Sequence, residues 1–191
     1  MDLRPASRRV RSRRHERIPV ALLDSRRPTR QPLPPGQTVT ATFLFLVNPE
    51  LAYDPYPDWE RWAPLIRAGQ TPQSRWNTGT RRHGITPGDR GLIVRVGSEP
   101  RGLVGACEVV SEVSVGPHWN PEARSLEAGY VDIAMKAVID LDDPVTLDEL
   151  RAAAPGVIWT PRQSGTRLPD EAAATIWNIL FTETDIPAAR T

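Results

Sequence analysis

Cysteine is nearly absent from this chain: Cys107 is the only one in 191 residues. That excludes an internal disulfide and a cysteine-built zinc site, and it fits a reducing compartment such as the cytoplasm. Histidine is scarce too. His15, His83 and His118 are scattered, with no pair at helical metal-ligand spacing, so neither a metal nor a cofactor is expected. No apolar run approaches the roughly 20 residues that span a bilayer. The arginine-rich start is not followed by a signal-peptide apolar stretch, because residues 18–23 are few and include a proline. A glycine-rich phosphate loop and a nucleophile elbow are both missing.

Lysine is the remaining scarcity, with Lys136 alone, so the basic charge is arginine and it is unevenly placed. Residues 1–38 hold ten arginines against Asp2, Glu16 and Asp24, a net +7. The rest holds fourteen basic against twenty acidic residues, a net −6. With Pro28, Pro32, Pro34 and Pro35 among the arginines, residues 1–38 bury too little apolar surface to offset their ordering entropy and read as a disordered arm. Such an arm either binds phosphates without sequence choice or is an extension without a role. Residues 39–184 are expected to form one domain, and 185–191 a tail.

Within the domain, 39–47 is β-branched and aromatic and predicts a buried strand. Asp58 is placed to cap a helix carrying Trp59, Trp62, Leu65 and Ile66 on one face, closed by Gly69. Residues 90–96 and 103–115 read as an antiparallel pair, with Gly105 marking a bulge or close approach. A loop over 116–128 precedes a strand at 130–141. Thr146 and Glu149 form a capping box for a helix at 147–153. Asp170 heads the last helix, with Ala173, Ile176, Trp177 and Leu180 as its packing stripe. Short, mostly antiparallel strands with inserted helices predict an α+β domain on a small, strongly curved sheet or barrel.

Six tryptophans stand out. Trp59, Trp62 and Trp177 share helix faces with aliphatic residues and are read as core. The other three sit in polar, loop-like settings: Arg75-Trp76-Asn77-Thr78-Gly79, His118-Trp119-Asn120-Pro121, and Trp159 through Thr166. Their convergence would make a pocket for a flat, partly polar ligand, with Trp76 as a half-exposed wall. Stacking on an indole stabilises roughly 1–3 kcal/mol per base, whereas extruding a base from a duplex costs a few. Two or three rings are therefore needed. Asn77, Thr78, Gln163 and Ser164 are placed to read the edge of such a base, and Arg75, Arg81, Arg82 and Arg162 to hold flanking phosphates. Catalysis finds less support. Asp140, Asp142 and Asp143 read as a solvated turn, with a paired-carboxylate site as the alternative, and His118 reads as a loop histidine rather than a general base.

Trp76-Asn77-Thr78-Gly79, Gly88-Asp89, Gly102 with Gly105, His118-Trp119, and the run from Trp159 to Thr166 together resemble the EVE domain. That family belongs to the PUA-like superfamily and is related to the YTH readers of methylated adenine; the resemblance runs from about residue 39 to 180. The nearest likeness is to EVE-like domains attached to HNH nucleases in modification-dependent restriction proteins. It implies a PUA-like curved barrel with flanking helices, an aromatic cage with Trp76 as its first wall and Trp119 in the loop supplying a second, and a non-catalytic reader of a flipped, modified base. No HNH motif occurs in this sequence, so cleavage is expected to need a nuclease partner acting in trans. The expected partner is DNA carrying a methylated or hydroxymethylated base, with no membrane. A modified-RNA reader, or a small-molecule-sensing or catalytic domain using the same pocket, are the alternatives.

Overall fold

The computed structural model describes residues 40–182 apart from 52, 121, 122 and 124. The expected arm and tail, and Val39, lie outside the described residues. Eleven elements follow in chain order: β1 (Thr42–Val47), α1 (Tyr56–Arg67), β2 (Gln73–Asn77), β3 (Arg90–Arg95), β4 (Gly102–Val109), β5 (Ser114–Pro117), β6 (Glu127–Val138), β7 (Val145–Thr146), α2 (Leu147–Ala153), β8 (Thr166–Arg167) and α3 (Asp170–Thr182). They build one eight-stranded sheet in the order β2-β6-β4-β3-β1-β8, with β5 added on β6 and β7 on β4. Only β1 and β3 run parallel. The α+β class and the strongly curved sheet are as the sequence suggests.

One hydrogen bond shows how far the sheet curls. β2 and β1 are four places apart in the strand order, which in a flat sheet would separate them by about 19 Å. Yet the indole Nε1 of Trp76 on β2 donates to the Leu46 carbonyl on β1 at 3.3 Å. The two ends of the sheet have come round to face each other. A bulge assists the bend: Ile93 pairs with Gly105 but Val94 pairs with Leu103, which leaves Val104 as the extra residue.

Because the sheet is covered on both faces, its central strands β1, β3 and β4 are apolar through their middles, with charge only at Arg90 and Arg95 at the ends of β3 and at Glu108 near the end of β4. On β1, Phe43, Phe45 and Val47 enter one core with Trp59, Trp62, Ile133 and Met135. Leu44 enters the other, with Leu92, Val94, Leu150 and Ile176. This period-2 partition explains why residues 42–47 read as an unbroken hydrophobic run. Helix α1 covers the first face, and Trp59 Nε1 donates to the carbonyls of Val104 and Ile139 at 3.0 and 3.1 Å. Helices α2 and α3 cover the second. Trp59 and Trp62 are core, as expected. Trp177 is half-buried against the second core, with the Arg90 guanidinium 4.5 Å from its ring.

Local signals were mostly reliable. Thr146 and Glu149 make the full capping box. Gly69, at φ 76°, ends α1 with N–H bonds from Gly69 to Ile66 and from Gln70 to Leu65, the paired closure of a Schellman motif. Asp58 needs correction. Pro57 opens the helix one turn earlier than expected, so Pro55 is the N-cap, without a side-chain bond, and Asp58 lies inside the first turn. The run 103–115 is also broken: β4 ends at Val109, and 114–117 turn back as β5 to pair with β6. That pairing shortens the expected 116–128 loop to a hairpin end.

Asp142 is fixed by the Tyr56 hydroxyl at 2.5 Å and by the buried Arg95 at 3.1 Å. Those two bonds, Tyr56 first, hold its carboxyl below the usual range. The segment 78–82 is clamped more tightly still. A Cβ added at Gly129 would sit 2.1 Å from the Arg81 carbonyl and 2.3 Å from Thr78 Oγ1. Gly129→Ala should therefore destabilise the domain by roughly 1–3 kcal/mol or more through overpacking. A urea midpoint unchanged from wild type would show that the clamp yields freely.

Candidate functional site

Where the curled sheet fails to close, between β2 and β1, lies a half-open cavity of about 520 Å³. Ligand clefts fall in the range of roughly 300–1,000 Å³. Its walls come from the end of β1 (Leu46, Val47, Asn48), the segment before α1 (Leu51, Tyr53), and β2 (Ser74 to Asn77). Gly79, Val96, Trp119, Tyr130 and the loop at 162–164 complete it. Four aromatic rings line it: Tyr53, Trp76, Trp119 and Tyr130.

Trp76 sits at the floor. Strand alternation turns it to the core face, while Arg75 and Asn77 lie on the opposite face of this edge strand and still border the cavity. It is only 5% exposed, edge-on to Tyr53 at 6.1 Å and tilted against Trp59 at 6.3 Å. The expectation of a half-exposed wall on a loop is thus corrected: pairing with β6 makes residues 73–77 a strand, and Trp76 is core and cavity floor together. Trp119 is the opposite case. It is 43% exposed, at the end of the β5–β6 hairpin, stacked on His118 at 5.4 Å. His118 Nδ1 accepts the Asn120 N–H at 3.0 Å, an intraloop bond that accounts for the histidine.

The polar groups are pre-set. Asn77 Oδ1 accepts the Gly79 N–H at 2.6 Å, which fixes the amide orientation because an N–H must face an oxygen. Its Nδ2 is buried without a partner. Ser164 Oγ accepts the Leu46 N–H at 3.2 Å, and Gln163 Oε1 accepts the Thr80 hydroxyl at 2.8 Å. Arg75 lies over the Tyr130 ring at 4.5 Å and donates to Ser114 Oγ at 3.2 Å. Arg162 is exposed in the cavity wall. The Tyr53 hydroxyl donates to Asp58, and burial together with that carboxylate raises its pKa above the usual tyrosine value. It stays a neutral hydroxyl.

Seven of the eleven residues singled out from the sequence meet here: Arg75, Trp76, Asn77, Trp119, Arg162, Gln163 and Ser164. Four do not. Trp159 is 2% exposed and belongs to the second core, because the chain at 157–159 turns its indole towards α2 and α3 and leaves Ile158 outside. Thr78 is fully buried, its hydroxyl donating to the Arg81 carbonyl at 2.9 Å. Arg81 donates to the Gly165 carbonyl at 2.8 Å, and Arg82 to those of Gly79 and Glu127 at 3.4 and 3.0 Å. These two guanidiniums brace the loop beside the cavity, around a smaller hollow shared with Thr80, His83 and Gln163. Sequence reasoning missed Tyr53 and Leu51. The signal was present: large apolar residues in a short turn between a strand and a helix, where polar residues are usual.

No protein-family model and no curated protein matches the sequence. Several solved structures are similar in shape. A hypothetical protein from Leishmania major shares 15% identity at a TM-score of 0.47, covering 76% of this chain and 97% of that one. The human THYN1 protein, in complex with DNA containing 5-methylcytosine, shares 15% at 0.46, over 77% and 99%. The Mmi1 YTH domain shares 12% at 0.42, over 75% and 76%. Likenesses this distant assign no site, so the cavity is read from its own residues.

Burial separates the two indoles energetically. Trp76→Ala should cost about 3–5 kcal/mol of stability, whereas Trp119→Ala should stay within about 0.5 kcal/mol. Denaturant titration of both variants checks the contrast. Equal losses would contradict their placement.

Proposed function

We propose that this cavity captures a flat, partly polar ligand: a modified base turned out of a nucleic acid, with DNA carrying a methylated or hydroxymethylated base as the preferred partner. The observation that carries the proposal is the pairing of a fixed aromatic floor, Trp76 with Tyr53, with a half-exposed ring at the rim, Trp119. A base entering between them gains stacking on more than one surface, enough to offset extrusion. Asn77, Gln163 and Ser164 give the edge of that base directional contacts. Leu46, Val47, Leu51 and Val96 line the same space with apolar surface that accepts a methyl group.

Electrostatics favours a polyanion. Arg162 in the wall and Arg81 and Arg82 beside it have no carboxylate partner among the described residues, and the carbonyls that hold Arg81 and Arg82 leave their charge unneutralised. They are positioned to meet flanking phosphates. The arm of residues 1–38 adds sequence-independent attraction of the same kind. The domain reads the base and does not transform it; a nuclease acting in trans would supply cleavage in a modification-dependent restriction system.

Titration of duplexes that differ in one base, carrying 5-methylcytosine, 5-hydroxymethylcytosine or N6-methyladenine against the unmodified form at fixed salt, tests this directly. One modified duplex should bind at least about tenfold tighter, and Trp119→Ala should remove roughly 1–3 kcal/mol of that binding. Equal affinity for all four would refute the proposal. Tighter binding of the matching modified RNA would move the site to RNA.

A further inference from the structure

The hairpin joining β5 to β6 carries an apolar side chain that neither core accounts for. Leu126 is 84% exposed, the most exposed large hydrophobic residue among those described, and belongs to neither core cluster. A lone exposed leucine is ordinary on a protein surface. Its neighbours set this one apart. The His118 N–H donates to the Leu126 carbonyl at 2.9 Å, so Leu126 stands across the hairpin from the residue next to Trp119. Trp119 lines the cavity, so this pairing puts Leu126 next to a wall residue while its own exposed side chain stays outside the lining. On its other side, Arg82 reaches the carbonyl of the adjacent Glu127 at 3.0 Å.

This end of the hairpin therefore brings into one neighbourhood a stacking ring, an exposed aliphatic side chain and a guanidinium without a carboxylate partner among the described residues. A base pulled from a duplex leaves a gap of one base thickness between its former neighbours. Aliphatic side chains inserted between base steps are a general way of holding such unstacked duplex, and the phosphates flanking the gap call for a cation close by. A single strand has no such gap, because its bases separate freely.

We propose that Leu126 is a wedge, entering the base stack at the place vacated by the base that the cavity takes, and that the ligand of this site is therefore a duplex and not a single strand. This rests on the base-capture reading above. Leu126 makes no core contact, so Leu126→Ser should fold normally, with a thermal midpoint equal to that of wild type.

The test compares wild type and Leu126→Ser on two ligands, a duplex and the corresponding single strand, each carrying the modified base that binds best. Wild type should prefer the duplex. The variant should lose about tenfold or more on the duplex, as burial of a leucine implies, and less than about twofold on the single strand. Equal loss on both ligands, an intact duplex affinity, or a wild type that prefers the single strand would each overturn the wedge. If wild type discriminates the modified base but the variant binds the duplex as well as before, only the wedge falls. If wild type does not discriminate at all, base capture falls and takes the wedge with it.

Discussion

The architecture depends on one close approach between backbones. Thr78 and Gly79 are pressed against Ser164 and Gly165 on one side and Gly129 on the other. A Cβ at Gly165 would meet the Thr78 carbonyl at 2.7 Å, and one at Gly79 the Ser164 carbonyl at 3.0 Å, both at positive φ. Hydrogen bonds fill the contact: Thr78 N–H to the Gly129 carbonyl at 2.8 Å, Gly129 N–H to that of Gly79 at 3.2 Å, and Gly165 N–H to that of Leu44 at 2.8 Å. Through this junction β2 is tied both to β6, its sheet neighbour, and to β1, four strands away. The sheet cannot flatten while the junction holds, and the cavity is the space the curl encloses just above it.

The same junction explains the division of labour among the polar residues. Thr78 and Arg81 spend their side chains on the Arg81 and Gly165 carbonyls, and Arg82 adds a further donor to those of Gly79 and Glu127 at a crowded, partly buried crossing. Asn77, Gln163 and Ser164 are attached to the junction by one bond each, to Gly79, Thr80 and Leu46 respectively, and so face the cavity from fixed positions. A ligand meeting them loses little to side-chain ordering. Such pre-organisation, together with Trp76 held by Leu46, Tyr53 and Trp59, is what the proposed capture of a base calls for.

Much of the fold was legible in the sequence because its signals are local. The Thr146–Glu149 capping box, the Gly69 closure, the apolar run at β1 and the bulge next to Gly105, at Val104, each depend on neighbours within a few residues. The site was legible only in part. Polarity of the flanking sequence placed Trp76, Trp119 and Trp159 in loops together, yet flanking sequence does not report which way an indole turns. Trp76 was drawn into a strand by β6, fifty-odd positions away, and Trp159 was drawn into the second core by α2 and α3. Tyr53 was missed for the converse reason: a ring in a short turn gives no periodicity to read, and only its apolar character in a turn marked it. Arginines raised a similar ambiguity. Nothing in the letters tells which of them brace a carbonyl, as Arg81 and Arg82 do, and which stand exposed, as Arg162 does.

The central claim is that Trp76 and Trp119, and not the other four tryptophans, meet the ligand. The indole N–H groups of all six tryptophans can be followed as separate proton–nitrogen NMR signals, assigned by single substitutions, while a duplex carrying the modified base is added. The Trp119 signal should move most and that of Trp76 clearly, with those of Trp59, Trp62, Trp159 and Trp177 nearly still. Movement centred on Trp159 or Trp177, or the same small drift in all six, would contradict the account.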